Sequence, residues 1–205
     1  MPSSIQHPFP VVVACTVAAT AAWPRRQGVH LAAAGLAAWE VAAMSVVTEH
    51  LEQRGIAFEL IPHRQAYTST EEARALGVDA GEVLKTLAVR TSSGYALVVI
   101  PASRRLDLHL VREALVDSHA RLASEEELGR DFADYQLGAL PPLGALVGAS
   151  VYVDPEVLRH DTVAFAAGTQ TESVKLRTEE LVGGEQARTV PLVRRPERGS
   201  EDAIV

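Results

Sequence analysis

Lysine is rare in this chain, and one of its two lysines lies where it could do chemistry. The 205 residues contain 17 arginines but only Lys85 and Lys175 as lysines. Lys85 shares one face of a predicted strand with Val83, Leu87 and Val89. An amine on an apolar wall must reach water, pair with a carboxylate or face a ligand cavity, where burial would lower its pKa and suit it to orient a substrate. Alternatively, Lys85 is an exposed edge-strand lysine that opposes aggregation.

A second candidate is the loop Gly138–Pro142, which has the sequence Gly-Ala-Leu-Pro-Pro. Pro141 and Pro142 fix the backbone φ angle and remove two N–H donors, whereas Gly138 permits conformations in which neighbouring amides point into a cavity. Such amides could hold a carbonyl or a developing oxyanion. The alternative interpretation is a rigid turn that closes a sheet edge.

Other familiar catalytic patterns are missing from the sequence. It has no Gly-x-Ser-x-Gly elbow, no phosphate-binding loop, no Gly-x-Gly-x-x-Gly after a strand and no His-Glu-x-x-His. The single cysteine, Cys15, cannot form an internal disulfide, and no Cys/His cluster has zinc spacing, so we predict no metal and no cofactor. His63 follows the first predicted strand and either lines a cleft or makes structural hydrogen bonds. We assign no role to His109, His119 and His160.

Apolar periodicity and capping residues predict the elements that position these residues. Ser69 with Glu72, and Ser124 with Glu127, form capping boxes at the starts of two helices. The predicted helices are 45–54, 69–77, 107–116, 124–132 and 178–182, and the predicted strands are 56–61, 83–90, 95–101, 150–153, 162–167 and 173–177. This alternation predicts a mixed α/β domain.

Composition divides the chain into three parts. Residues 1–43 are rich in Ala and Val and carry only three charges, which predicts a poorly ordered extension before a domain over 44–184 and a tail over 185–205. The apolar run 9–23 is shorter than the about 20 residues that span a bilayer and contains Pro10, so a membrane helix is disfavoured. No positive charge precedes that run, which disfavours a signal peptide.

The charge balance argues against one class of partner. Acidic residues outnumber Lys and Arg by 26 to 19, which gives a net charge of −7. A surface of that sign repels phosphate backbones, so non-specific binding of DNA is disfavoured.

Six separated segments together form a pattern that is more specific than any one of them. They are 51–63, 67–73, 83–87, 95–101, 138–142 and 167–169. Their order and spacing resemble the YbaK/EbsC family, relatives of the editing domain of bacterial prolyl-tRNA synthetases, over about residues 44–182. The resemblance implies a single domain with a curved mixed sheet flanked by helices. It also implies a free-standing cytoplasmic enzyme that hydrolyses the ester bond of mischarged aminoacyl-tRNA.

The resemblance further implies roles for individual residues. Lys85, Gly138 and Pro142 are expected to be catalytic, with loop amides holding the aminoacyl carbonyl and Lys85 positioning polar or phosphate groups. No protein nucleophile or general base is evident, so the terminal ribose hydroxyl of the substrate is expected to help position the attacking water. The residues expected to contact the substrate are His63, Thr68, Ala139, Leu140, Gly168, Thr169 and Gln170.

One position departs from the family pattern. Family members often carry His after the Ala-Gly-Thr turn, whereas this chain has Gln170, which could alter selectivity. A small pocket distinguishes apolar side chains by only about 1–3 kcal/mol per methylene, so alanine, serine, threonine and cysteine are all compatible amino acids.

The expected partners follow from the same resemblance. They are the acceptor end of mischarged tRNA and an aminoacyl-tRNA synthetase, without DNA or a membrane. Arg104 and Arg105 are either phosphate contacts or solvated turn charges. The alternative function is a non-catalytic module that binds aminoacyl-tRNA or a synthetase without cleaving the ester.

Overall fold

The computed structural model describes residues 45–194, so the predicted extension over residues 1–43 lies outside the described residues. The α-helices are α1 Val46–Gln53, α2 Ser69–Leu76, α3 Leu108–Leu115, α4 Glu125–Asp131, α5 Gly144–Val147 and α6 Thr178–Gly184. The strands are β1 Phe58–Pro62, β2 Leu84–Thr91, β3 Gly94–Pro101, β4 Arg121–Leu122, β5 Ser150–Val153, β6 Thr162–Ala166, β7 Glu172–Arg177 and β8 Arg188–Thr189, and a 3₁₀ helix spans Val157–Arg159. The prediction of a mixed α/β fold is confirmed.

The strands form two sheets. One sheet has the order β1-β7-β6 and is antiparallel, and the other has the order β4-β2-β3-β5-β8. In the second sheet β3 pairs in parallel with β5, and β5 in parallel with β8, while the β2–β3 hairpin and the β2–β4 pair are antiparallel. A single bridge between Val83 and Ala164 joins the two sheets. Where the resemblance implies one curved sheet, the strands thus form two sheets connected by this bridge.

Side chains from the two faces of the larger sheet pack into two clusters. We call the first the inner core, and its buried residues include Val47, Leu51, Ala88, Leu97, Val99, Phe165 and Leu176. We call the second the outer core, and its buried residues include Val89, Val98, Ile100, Val111, Leu192 and Val193. Because β3 supplies both clusters with alternate residues, its sequence is continuously apolar, as expected of a strand that is buried on both faces.

The start of α2 differs from its prediction by one residue. The N-cap is Thr68, whose hydroxyl accepts a hydrogen bond from the Glu71 N–H at 3.2 Å, and the Glu71 carboxylate accepts one from the Tyr67 N–H at 2.9 Å. The predicted pair, Ser69 with Glu72, is wrong because the Glu72 side chain is buried and engaged elsewhere. The sequence offers the capping pattern in two registers, and burial of Glu72 selects one of them.

The other two predicted caps are confirmed. Ser124 and Glu127 form a capping box at the start of α4. Asp107 caps α3 by accepting a hydrogen bond from the His109 N–H at 2.9 Å.

The prediction of a tail from residue 185 is wrong for its first part. Strand β8 pairs with β5, and Leu192 and Val193 are buried in the outer core. The buried carboxylate of Asp154 accepts hydrogen bonds from the N–H groups of Leu192 and Val193 at 2.8 and 3.1 Å. The domain thus extends beyond Gly184, because a parallel strand and a buried carboxylate satisfy the backbone of this segment.

Candidate functional site

Three loops meet at one end of the smaller sheet. They are residues 63–68 after β1, residues 135–142 between α4 and α5, and residues 167–171 between β6 and β7, and we call them the three-loop cluster. The N–H of Gln136 donates to the Gly168 carbonyl at 3.0 Å, and the N–H of His63 donates to the Thr171 carbonyl at 2.8 Å. The structure thereby brings most of the predicted site residues into one group.

Gln170 connects all three loops. Its N–H donates to Gln136 Oε1 at 2.8 Å, and its Nε2 donates to the Leu137 carbonyl at 2.9 Å. Its carbonyl accepts from the Ala66 N–H at 2.9 Å, and its Oε1 accepts from Gln65 Nε2 at 3.0 Å. Every polar group of this residue is therefore engaged, and the amide that replaces the family's His serves here as a structural connector.

Gly138 lies where the 135–142 loop touches the 63–68 loop. Its φ is +83°, and a Cβ placed on it would lie 3.0 Å from the carbonyl oxygen of Tyr67. Both observations favour glycine at this position. Within residues 45–194, the N–H groups of Gly138 and Leu140 donate no hydrogen bond, whereas the Ala139 N–H donates to the Gln136 carbonyl at 2.9 Å. The loop consequently carries two unengaged amide donors.

The rest of this loop is anchored in the protein. Ala139, Pro141 and Pro142 are buried, and Leu140 packs against the inner core. Because the two prolines also fix φ at their own positions, this loop has little conformational freedom.

Two buried hydroxyls lack hydrogen-bond partners among the described residues. They are Thr169 Oγ1, in the turn of the three-loop cluster, and Thr86 Oγ1, on β2 next to Lys85. A buried hydroxyl without a partner is costly unless a ligand or water satisfies it. Thr86 is not among the predicted residues, and its position in a strand that also contains Arg90 and Thr91 gave no specific signal for it.

Lys85 is half-buried and is held by the segment after β3. Its Nζ donates to the Arg104 carbonyl at 2.8 Å. Burial lowers the pKa of Lys85, and the nearby positive charge of Arg105 acts in the same direction. Within residues 45–194, Lys85 forms no ion pair, so its remaining N–H donors are available.

Lys85 lies on the outer-core face of β2, whereas the Gly138–Pro142 loop packs on the inner-core side. Lys85 pairs with Ile100, which belongs to the outer core. Leu140 and Leu143 instead pack with the inner core, to which Ala88 of β2 contributes. Within residues 45–194 no hydrogen bond joins Lys85 to the loop, so the contacts do not bring these two predicted elements together, and their joint action stays a prediction.

The remaining predicted contacts have structural partners. Thr68 caps α2, and the His63 ring Nε2 lies 2.9 Å from Ser173 Oγ. Gly168 has φ +92°, and a Cβ there would lie 3.2 Å from the Tyr135 ring. His63, Thr68 and Gly168 therefore shape the three-loop cluster from within.

Residues 45–194 contain no group of three or more His, Cys, Asp or Glu side chains placed to hold a metal ion. No helix in that range is both long and apolar enough to cross a bilayer.

Replacing Gly138 by alanine tests the loop. The added Cβ would press on the Tyr67 carbonyl at 3.0 Å and displace the loop amides, so we expect kcat for any reaction at this site to fall about tenfold or more. The matched control is Gly148→Ala, because Gly148 also has a positive φ of +64° but has nothing within 4 Å of the added Cβ. Equal effects of the two substitutions would contradict a role for the Gly138 contact.

The chain is similar to known proteins that carry an editing domain. The aminoacyl-tRNA editing domain family matches residues 63–183, more than half of the chain. The proline–tRNA ligase of Thermosipho melanesiensis is 30% identical over 86 residues, which are 42% of this chain and 15% of the ligase, so the chain spans only a small part of that protein. These matches confirm the resemblance to editing domains.

Two solved structures share the fold. The first, of a protein proposed as a trans-editing enzyme for prolyl-tRNA synthetase, is 25% identical with a TM-score of 0.66 and covers 73% of this chain and 95% of that one. The second, of a hypothetical protein, is 27% identical with a TM-score of 0.67 and covers 72% of this chain and 99% of that one. Both similarities extend over nearly the whole of the solved proteins.

Proposed function

Because this chain belongs to the aminoacyl-tRNA editing domain family, we propose that it is a free-standing deacylase that acts on mischarged tRNA carrying a small amino acid. The observation that carries the proposal is the anchored loop with unengaged amide donors at Gly138 and Leu140. Fixed amides of this kind stabilise the negative oxygen that develops when an ester carbonyl is attacked.

The chemistry is the hydrolysis of an activated ester. The loop amides hold the aminoacyl carbonyl while a water oxygen bonds to its carbon, and the carbon–oxygen bond to the ribose then breaks. A proton from the water passes to the leaving ribose oxygen, which yields a free amino acid and uncharged tRNA. The neighbouring ribose hydroxyl positions that water, since the ester itself supplies most of the reactivity and modest preorganisation suffices.

The buried hydroxyls of Thr86 and Thr169 suit the amino acid or the ribose. Each lacks a partner among the described residues, so a polar substrate group that reached them would gain a hydrogen bond at little desolvation cost. Ala139 and Leu140 would limit the size of the amino acid side chain, and a small amino acid fits such a site.

Lys85 is proposed to hold a phosphate or ribose oxygen of the acceptor end. It keeps N–H donors that the protein does not use, and the positive charge of Arg105 lies close to it. A local concentration of positive charge on a protein of net charge −7 favours contact with the acceptor end alone. The proposed partners are this end of tRNA and an aminoacyl-tRNA synthetase, and the proposed location is the cytoplasm.

Tyr67 is proposed to stack on the terminal adenine of the tRNA. Tyr67 is 63% exposed, and its carbonyl oxygen lies beside Gly138. Leu137, which precedes Gly138, is also exposed. Stacking of a base on an aromatic ring contributes about 1–3 kcal/mol, so we expect Tyr67→Ala to raise KM about tenfold and to leave kcat nearly unchanged. Steady-state kinetics would measure this, with Tyr67→Phe as the matched control that keeps the ring. An unchanged KM in Tyr67→Ala would contradict the stacking.

The proposed function is tested by a panel of deacylation assays. Purified protein is mixed with tRNAs charged with alanine, serine, threonine or cysteine, and with correctly charged tRNAs as controls. We expect hydrolysis of at least one mischarged tRNA well above the spontaneous rate. Binding at micromolar concentration without any hydrolysis across the panel would overturn the proposal in favour of a non-catalytic module.

A further inference from the structure

A chain of three hydrogen bonds connects α2 to the loop that carries Tyr67. Glu72 Oε1 lies 2.5 Å from Ser173 Oγ, and His63 Nε2 lies 2.9 Å from the same oxygen. On its other side, His63 Nδ1 lies 2.7 Å from the Arg64 carbonyl oxygen. Ser173 is completely buried and Glu72 is 4% exposed, so water does not replace the contact between these two side chains.

The three hydrogen bonds fix how many protons Glu72, Ser173 and His63 must hold between them. The Arg64 carbonyl can only accept, so Nδ1 of His63 must carry a proton. The single hydroxyl proton of Ser173 can be donated either to Nε2 of His63 or to Glu72, but not to both. If it goes to His63, Glu72 must be protonated to donate to Ser173. If it goes to Glu72, His63 must carry a second ring proton.

We call the side chains of Glu72, Ser173 and His63 the unit. In both arrangements the unit holds one proton more than it would with Glu72 ionised and His63 neutral. Without that proton, one of the three hydrogen bonds is lost: with the ring proton on Nδ1, the bare Nε2 of His63 faces the buried Ser173 oxygen as a second acceptor, and with it on Nε2, Nδ1 faces the Arg64 carbonyl. The unit with its extra proton has no net charge, which suits a buried position.

We propose that Glu72 is a positioning residue that shares one proton with His63 through Ser173, and that this shared proton holds the 63–68 loop against the other two loops of the three-loop cluster. The inference rests on the proposed function, because it concerns the geometry of that site. It adds an alkaline limit to activity, since loss of the proton releases the loop on which Tyr67 and the contact with Gly138 depend.

The surroundings of Glu72 favour the protonated unit. Burial raises the pKa of Glu72, against the opposing effects of its hydrogen bond with Ser173 and of the charge of His63. The next residue on α2, Ala73, packs in an apolar cluster with Val83 and Ala164.

The other charged groups near the unit are on its borders. Arg64, next to His63, and Glu71, on α2, are both exposed, and Glu172 on β7 is partly exposed opposite Pro62. Glu71 is already engaged by the Tyr67 N–H. None of these three charged side chains takes part in the hydrogen-bond chain itself.

The sign of the pH effect follows from the raised pKa. The native protein binds the Glu72 proton more tightly than the unfolded chain, whose carboxyl has its ordinary value of 4.5. The contribution of protonated Glu72 to the stability of the native state is therefore complete below pH 4.5. It is lost as the pH rises through the raised pKa of Glu72. An amide in place of the carboxyl supplies a permanent donor and removes this dependence.

The test compares Glu72→Gln with the wild-type full chain over a range of pH. The ratio of the two kcat/KM values cancels the pH dependence of the ester and of Lys85. We expect this ratio, variant over wild type, to rise about threefold or more as the pH rises through the raised pKa of Glu72. Ser173→Ala should lower activity at every pH, and the exposed Glu59→Gln should give a ratio near one throughout. A flat ratio for Glu72→Gln would overturn the proposal.

A second measurement does not depend on deacylation. The ring nitrogen signals of His63 are followed by NMR in both proteins as the pH is raised. We expect them to depend on pH in the wild-type chain and to change much less in Glu72→Gln. Identical pH dependence in the two proteins overturns the shared proton, even if the chain cleaves every ester in the panel. Conversely, absence of deacylation with the expected NMR result overturns the proposed function alone.

Discussion

Lys85→Ala is expected to reduce kcat/KM for deacylation by about 100-fold. The side chain presents a half-buried ammonium whose N–H donors are used only in part by the Arg104 carbonyl. Because this ammonium is already partly desolvated and held in place, its hydrogen bond to a substrate oxygen would cost little to form, and its loss should fall on the transition state. Rates measured on the tRNA that the panel identifies would show the effect.

The other lysine supplies the matched control. Lys175 lies on β7 opposite Glu59, away from the three-loop cluster, so Lys175→Ala should keep activity within about twofold. Similar circular dichroism spectra and melting temperatures for the two variants would show that folding is not the cause. Full activity in Lys85→Ala would contradict the proposed role of this lysine.

The basis of the Lys85 effect can be probed by pH. Burial lowers the pKa of Lys85 from its ordinary 10.5, and the charge of Arg105 acts in the same direction. The ammonium, and the contribution of Lys85 to the rate, should therefore disappear at a lower pH than for an exposed lysine. The ratio of wild-type to Lys85→Ala rates should fall as the pH rises through the lowered pKa of Lys85.

Asp154→Ala is expected to lower the free energy of unfolding by about 3 kcal/mol. The carboxylate is buried and accepts hydrogen bonds from the N–H groups of Glu156, Leu192 and Val193. Removal of the carboxylate leaves three donors without partners at the point where the C-terminal segment joins the domain. Chemical denaturation of the full chain would measure the loss.

A surface aspartate serves as the control for this prediction. Asp117 also accepts backbone hydrogen bonds, from the N–H groups of Ser92 and His119, but at an exposed position. Asp117→Ala should therefore destabilise the protein much less, because water replaces the lost acceptor. Equal losses for the two variants would contradict the structural role assigned to Asp154.

Local signals in the sequence were sufficient for most of the elements. The hairpin of β2 and β3, the capping box at Ser124 and the cap at Asp107 were all predicted correctly. Each depends on residues within a few positions of one another, so the chain itself specifies the hydrogen bonds that form them.

Tertiary contacts decided the features that were predicted wrongly. The register of the cap at Thr68 depends on Ser173, which binds Glu72 from across 101 positions of the sequence. Strand β8 depends on parallel pairing with β5 and on Asp154, and neither leaves a pattern near residue 188. A two-residue strand has too little periodicity to be distinguished from a loop.

For the site, the sequence alone determined which residues belong to the editing-domain pattern, including Lys85 and the Gly138–Pro142 loop. Only the tertiary structure decided how they are arranged. It placed Gln170 among the connections of the three loops, left the amides of Gly138 and Leu140 unengaged, and set Lys85 on the outer face of β2. These properties arise where distant segments meet, so side-chain and backbone partners across loops, and not local propensity, determine them.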